Sequence, residues 1–304
     1  MIARAQALRG HAAMLLFSAL VAGSFSLGAR AANLIVPAAI TAARFVIAAA
    51  LIAAFAFAAG PGVPRTAFRA PWRYLLLGGV FASYFVLMFQ GLKTAAPVSA
   101  SAVFTLTPLM AAGFGWLLMR QRLTGRMAAA LALGGAGALW VIFRGDPAAM
   151  ARLEFGRGEG IYLAGCVAHA LYTPLVRRLN RGESPVVFSL GTLLAGAGVL
   201  ILWGWGPIWA TDWTALPGIV WITLLYVAIL ASAVTFVLVQ YATLRLPAAK
   251  VMAYTYLTPV WVIVLEAAMG QGLPGSVVAP GIGATLLALW MLLREDEPAS
   301  LRQP

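Results

Sequence analysis

Hydrophobic residues along this chain are gathered into ten long runs, at about 11–30, 36–59, 73–92, 97–119, 125–143, 159–179, 185–206, 217–243, 247–269 and 275–293. Each is close to the roughly 20 residues that a helix needs to cross a bilayer. The runs are continuous rather than alternating, which argues against a transmembrane β-barrel. The expectation is an all-α polytopic membrane protein with ten transmembrane helices. Composition agrees: 62% of the 304 residues are hydrophobic and only 10% charged, where a soluble domain carries roughly a quarter charged residues.

The net charge of +12 would suggest nucleic acid in a soluble protein, but its distribution points to a membrane. Fifteen arginines and lysines fall in the segments that lie inside if the amino terminus is cytoplasmic, five in the outer ones, and Arg44 falls within the second run. That asymmetry puts both termini in the cytoplasm. No aromatic-and-basic surface for nucleic acid is evident. The single cysteine, Cys166, rules out an intramolecular disulfide. Arg4, Arg9, an apolar stretch and then Ala29-Arg30-Ala31 imitate a cleaved signal peptide, but an internal repeat makes use of that first run.

The repeat is read from matching words about 150 residues apart. Leu-Thr-Pro at 106–108 recurs at 257–259, Leu139-Trp140 at Leu289-Trp290, Gln121 at Gln271, and Pro37 and Pro185 open corresponding runs. Two halves of five helices follow: 1–145, a periplasmic linker at 146–158, and 159–304 with a short cytoplasmic tail. Five is odd, so the second half enters the membrane inverted relative to the first. Pro108 and Pro259 then both reach the bilayer midplane. Each deprives a carbonyl four residues earlier of its helical donor, Phe104 in one half and Thr255 in the other. A lone proline in a membrane helix is usually a packing kink. Two at matched depth are where secondary transporters place substrates, because irregular backbone survives only where it lines a cavity.

Two five-helix halves, Thr-Pro in runs four and nine, the arginine of AARFVIAAAL in run two, and glycine-rich runs five and ten resemble the drug/metabolite transporter superfamily, specifically its EamA-type ten-helix exporters. The overall likeness is greatest to bacterial aromatic amino-acid exporters. The resemblance implies a carrier of the bacterial inner membrane, its cavity lined by helices 1, 3, 4, 6, 8 and 9 with 5 and 10 behind. One departure stands out. Where family members often carry Gly-Glu followed by x-Leu, this chain reads Arg120-Gln121-Arg122-Leu123 and Gly270-Gln271-Gly272-Leu273.

The candidate residues carry open readings. Arg44 and Glu266 occupy similar depths and are expensive to bury alone, so a structural Arg44–Glu266 pair is the simplest expectation. Alternatively Arg44 holds a substrate carboxylate with its planar fork, and Glu266 is a shallow, hydrated group. His169 could relay protons or donate a hydrogen bond to a neighbouring carbonyl. Tyr254, Thr258 and Trp261 share one face of run nine, with Phe104 and Thr107 as the counterpart in run four. Tyr84 and Gln90, and Tyr226, Ser232 and Gln240, could complete an aromatic lining for a flat amphipathic ligand, or could be packing.

No metal-ligand spacing, P-loop, dinucleotide fingerprint or clustered nucleophile and base is present, so neither enzyme nor cofactor is expected. The expected partners are a small-molecule substrate (an amino acid or similar metabolite) and the lipid bilayer, with the protein as a monomer. A secondary carrier exporting aromatic or hydrophobic amino acids by alternating access is the leading reading. An exporter of cationic compounds is its closest competitor.

Overall fold

The computed structural model describes residues 2–58, 62–120, 123–152, 154–243, 245–246 and 248–294. Gln121, the side chain of Gln240 and the tail at 295–304 lie outside the described residues. Every regular element among them is helical. In chain order these are α1 (Ile2–Ala31), α2 (Pro37–Ala58), α3 (Trp72–Gly91), α4 (Pro97–Phe104), α5 (Thr107–Met119), α6 (Gly125–Ile142), α7 (Pro147–Ala151), α8 (Arg157–Leu179), α9 (Pro185–Trp203), α10 (Trp205–Trp209), α11 (Gly218–Leu225), α12 (Thr235–Thr243), α13 (Ala248–Ala253), α14 (Thr258–Ala268) and α15 (Ala279–Leu293).

Local chemistry sets several starts. Proline stands in the first turn of α2, α4 and α9, where its missing N–H would have no intrahelical partner in any case. Thr124, Asp146 and Ser184 accept hydrogen bonds from the first turns of α6, α7 and α9 through their side chains. The expected linker at 146–158 thus contains the short helix α7.

Nine spans among the described residues are long and apolar enough to cross a membrane. In each, half or more of the most apolar stretch is not buried within the protein, the contiguous apolar exterior expected of a membrane-facing surface. The remaining long helix, α8, has 23 residues but carries Glu159, Arg177 and Arg178 near its ends and His169 inside. Trp72, Trp203 and Trp205 are exposed, as residues anchoring helix ends at the interface are.

Runs four and nine are both broken at their Thr-Pro words. Run four stops at Phe104 and resumes at Thr107 as α5. Run nine passes from α13 through a 3-10 stretch, Tyr254–Leu257, and resumes at Thr258 as α14. Each proline therefore occupies the first turn of a new helix segment, the position that tolerates it best. Run eight is divided differently. Between α11 and α12, Tyr226–Val234 winds as a π-helix, a wide turn that occurs mostly at functional sites.

The helices pair across the chain in a reciprocal pattern. α3 packs on α8 and α1 on α12; α2 packs on α9, α4 on α14 and α6 on α15. At the α6–α15 crossing, a Cβ added to Gly137 would lie 2.6 Å from the Gly281 carbonyl oxygen, and one added to Gly281 equally close to that of Gly137. Only glycine lets these backbones approach so closely.

Candidate functional site

Arg44 projects from α2 into the centre of the bundle and is 2% exposed. Its guanidinium donates from Nε to Ser232 Oγ at 3.0 Å and from Nη2 to the Ala231 carbonyl at 3.2 Å. The π-helical turn makes this possible. Thr235 N–H points to the carbonyls of Leu230 and Ser232, leaving the Ala231 oxygen without its usual donor four residues on. Ser232 Oγ itself donates to the Val227 carbonyl at 2.7 Å. The guanidinium carbon lies 3.6 Å from the centre of the Phe85 ring, a desolvated cation–π contact. Nη1 has no hydrogen-bond partner among the described residues.

The expected Arg44–Glu266 pair is not formed. Glu266 Oε1 instead accepts from Arg30 Nη1 at 3.3 Å, joining α14 to the end of α1. Arg30 is the better partner because it enters from a helix end and keeps access to water: the two side chains are 27% and 12% exposed. Arg44 is committed to the π-turn on the opposite element.

Beyond Phe85 the aromatic rings continue without a gap. Tyr84 lies 4.6 Å from Phe85 and 4.4 Å from the His169 ring, centroid to centroid. Phe81 stacks on Tyr172 at 4.6 Å, and Phe104 stands 5.9 Å from His169. The expected carbonyl partner for His169 does not materialise at Nδ1, which is buried and unpartnered. Tyr84 and Tyr162 share a buried hydroxyl–hydroxyl hydrogen bond of 3.0 Å. The cluster draws from both halves of the sequence: Arg44, Phe81, Tyr84, Phe85 and Phe104 from one, His169, Tyr172 and Ser232 from the other.

The two breaks leave polar groups buried without full partners. Thr107 and Thr258, each next to its proline, are buried with hydroxyls that form no hydrogen bond of ordinary geometry, although the Cys166 thiol lies close to Thr107. Pro108 and Pro259 are buried with them. Thr255 Oγ1 turns back to the Met252 carbonyl at 2.8 Å.

Other candidates lie elsewhere. Tyr254 and Trp261 both reach α1: the Tyr254 hydroxyl meets His11 Nδ1 at 2.9 Å, and Trp261 Nε1 donates to Ser18 Oγ at 3.0 Å. They brace run nine against α1 and do not close on His169 as ring neighbours. Tyr226 donates to the Leu20 carbonyl at 2.8 Å. Gln90, half-buried next to the end of α3, takes part in none of these hydrogen bonds.

Sequence reasoning passed over Phe81, Phe85 and Tyr162 in the cluster and Arg30 at the rim. The first two had a usable signal, since Phe81, Tyr84 and Phe85 fall at i, i+3 and i+4, one face of a helix. Arg30 gave none, because an arginine after a run reads as a loop cation.

On the arginine-rich face a second inter-half contact is formed. Arg73 Nη2 donates to Glu183 Oε1 at 2.6 Å, and both side chains are almost fully enclosed. The hydrogen bond from Arg73, helped by Arg181 N–H, holds the Glu183 carboxyl down from an ordinary 4.5 to about 2.

A helical bundle with a lipid-facing exterior, broken helices and a buried, incompletely satisfied guanidinium defines the class: a polytopic membrane protein built around an internal polar site. The chain belongs to the EamA-like transporter family, whose profile it matches twice, over residues 8–143 and 156–294. That places it in the drug/metabolite transporter superfamily and makes it a transporter. It is 26% identical over 221 residues to the uncharacterized transporter YyaM of Bacillus subtilis (strain 168), covering 72% of this chain and 71% of that one. A crystal structure superposes with a TM-score of 0.67 at 24% identity, covering 95% of this chain and 97% of the other. At that identity the likeness speaks to the fold.

Proposed function

We propose that the protein exports aromatic or other hydrophobic amino acids across a bacterial inner membrane by alternating access. In this reading α8 is the tenth crossing helix, both termini are cytoplasmic, and residues 1–145 and 159–304 form two inverted halves joined by the periplasmic linker. The reciprocal packing of α3 on α8 and α1 on α12, and of α6 on α15, is what an inverted pair of five-helix units would produce.

One observation carries the substrate assignment: Arg44 Nη1 is buried without a partner at the edge of an aromatic cluster drawn from both halves. A planar, charged fork of this kind suits a carboxylate, and the rings of Tyr84, Phe104 and His169 suit a flat side chain. The Phe104 carbonyl, deprived of its helical donor by Pro108, would receive the ammonium group; the expected free carbonyl at Thr255 is instead taken up by the Thr258 N–H in the 3-10 turn. Thr107 and Thr258 add hydroxyls at the same level, while Tyr254 and Trp261 hold run nine against α1 as the halves rock. A cation exporter would need a deep free carboxylate. Glu266, bound to Arg30 near the rim, does not supply one.

Counterflow of labelled phenylalanine in proteoliposomes tests the reading without an imposed gradient. Unlabelled aromatic amino acids are expected to compete, and sugars and a cationic drug to fail. Exchange only with the cationic drug would overturn the assignment.

A further inference from the structure

A cavity of about 450 Å³ opens between the α2–α3 loop and the α8–α9 loop. It is lined by Thr66, Arg69, Arg73, Arg181, Glu183 and Ser184, among others, and so takes its walls from both halves of the sequence. Three guanidinia face one carboxylate. Arg73 is engaged at all three nitrogens, donating to the carbonyls of Ala70, Leu179 and Arg69 as well as to Glu183. The carboxylate is engaged too, its second oxygen accepting from Arg181 N–H at 2.7 Å. The floor is therefore neutral and closed. The guanidinia of Arg69 and Arg181 remain, with no hydrogen-bond partner among the described residues, together with the Thr66 hydroxyl.

We propose that this cavity binds a phosphate group, and that the phosphate is the headgroup of an anionic phospholipid. Two exposed guanidinium forks and a hydroxyl lining one space match a phosphate's charge and its several acceptor oxygens. Lipid is favoured as the source by what flanks the cavity. On the first two turns of α3, just past Arg69, Trp72, Leu75 and Leu76 are exposed, offering apolar surface at the depth where acyl chains begin. An occupant would touch both halves beside the Arg73–Glu183 contact and so favour the arrangement in which that contact is closed.

The test titrates a fluorescent short-chain phosphatidylglycerol against the full-length protein in neutral detergent. Phosphatidylcholine of equal chain length and inorganic phosphate serve as competitors. Phosphatidylglycerol is expected to bind and neither competitor to displace it. Arg69→Gln with Arg181→Gln should weaken binding about thirtyfold, at roughly fivefold per basic residue near an anionic lipid. The corresponding double lysine variant should retain most of it. Arg177→Gln with Arg178→Gln, on the same face but outside the cavity, should leave it unchanged. An equal loss in both glutamine pairs, or none in the first, overturns the site. Displacement by inorganic phosphate at matched concentration overturns the lipid source.

Discussion

Replacing Arg44 by methionine separates anchoring of the fold from recognition of the substrate. In Arg44→Met the cation–π contact with Phe85 is exchanged for an apolar side chain beside the ring, and Ser232 keeps its hydrogen bond to the Val227 carbonyl. The Ala231 carbonyl and Ser232 Oγ each lose a donor; Ser232 stays satisfied through its own bond, so the main cost is the Ala231 oxygen, roughly 1–3 kcal/mol. Removing a buried charge from a low-dielectric site offsets part of that, so the melting temperature should move by a few degrees at most. A carboxylate on Nη1 is a charge-assisted hydrogen bond worth about 1.5–3 kcal/mol. Its loss should raise the half-saturation concentration for phenylalanine roughly 10- to 150-fold. The assay is competition in counterflow between phenylalanine and phenethylamine, which carries the same ring and amine without the carboxylate. Wild type should prefer phenylalanine by about that factor, and Arg44→Met should bind the two alike. A folded Arg44→Met protein that still discriminates between them would refute the carboxylate assignment. So would an unchanged half-saturation for phenylalanine.

Glu183→Gln should destabilise by about 3 kcal/mol or more, because Arg73 stays buried without its anion. Glu183 is held well below its ordinary value, so the pair's contribution is complete above pH 4.5 and disappears as pH falls through about 2. Melting curves of wild type and variant should converge at the acid end. Gly137→Val should abolish folding or force α6 and α15 apart, whereas Gly283→Val, with nothing within 4 Å of its new Cβ, should stay within about 0.5 kcal/mol; thermal melts of the two purified variants decide. Glu266→Gln removes a single, partly exposed pair at 3.3 Å, worth about 1 kcal/mol, and should leave the substrate profile intact. Loss of cation transport in that variant would restore the competing reading.

Legibility differed from one feature to the next for identifiable reasons. The long apolar runs, the two Thr-Pro breaks and the family could be read because each depends on covalent facts: run length, a missing N–H, a recurring word. Arg44 stood out for the same reason, as a cation inside an apolar run. Its partner did not. Depth along the membrane normal brought Arg44 level with Glu266, but depth says nothing about which helices adjoin, and Glu266 belongs to the α1–α14 contact while Arg44 faces the π-turn. The same limit applies to Tyr254 and Trp261. Their spacing put them on one side of run nine, and α1 takes up both side chains through His11 and Ser18.

By itself, then, the sequence determined a membrane-embedded helical chain, its breaks at Pro108 and Pro259, and the rarity of charge within it, since hydrocarbon tolerates neither unsatisfied backbone nor unpaired ions. Tertiary structure decided which side chains meet. Run eight shows why. Its letters read as one uninterrupted helix, but the π-helical stretch Tyr226–Val234 resets the rotation of everything after it and turns the Ala231 carbonyl towards Arg44. A helix-long reading assumes 3.6 residues per turn throughout. The wide turn breaks that assumption at the point where the two halves touch.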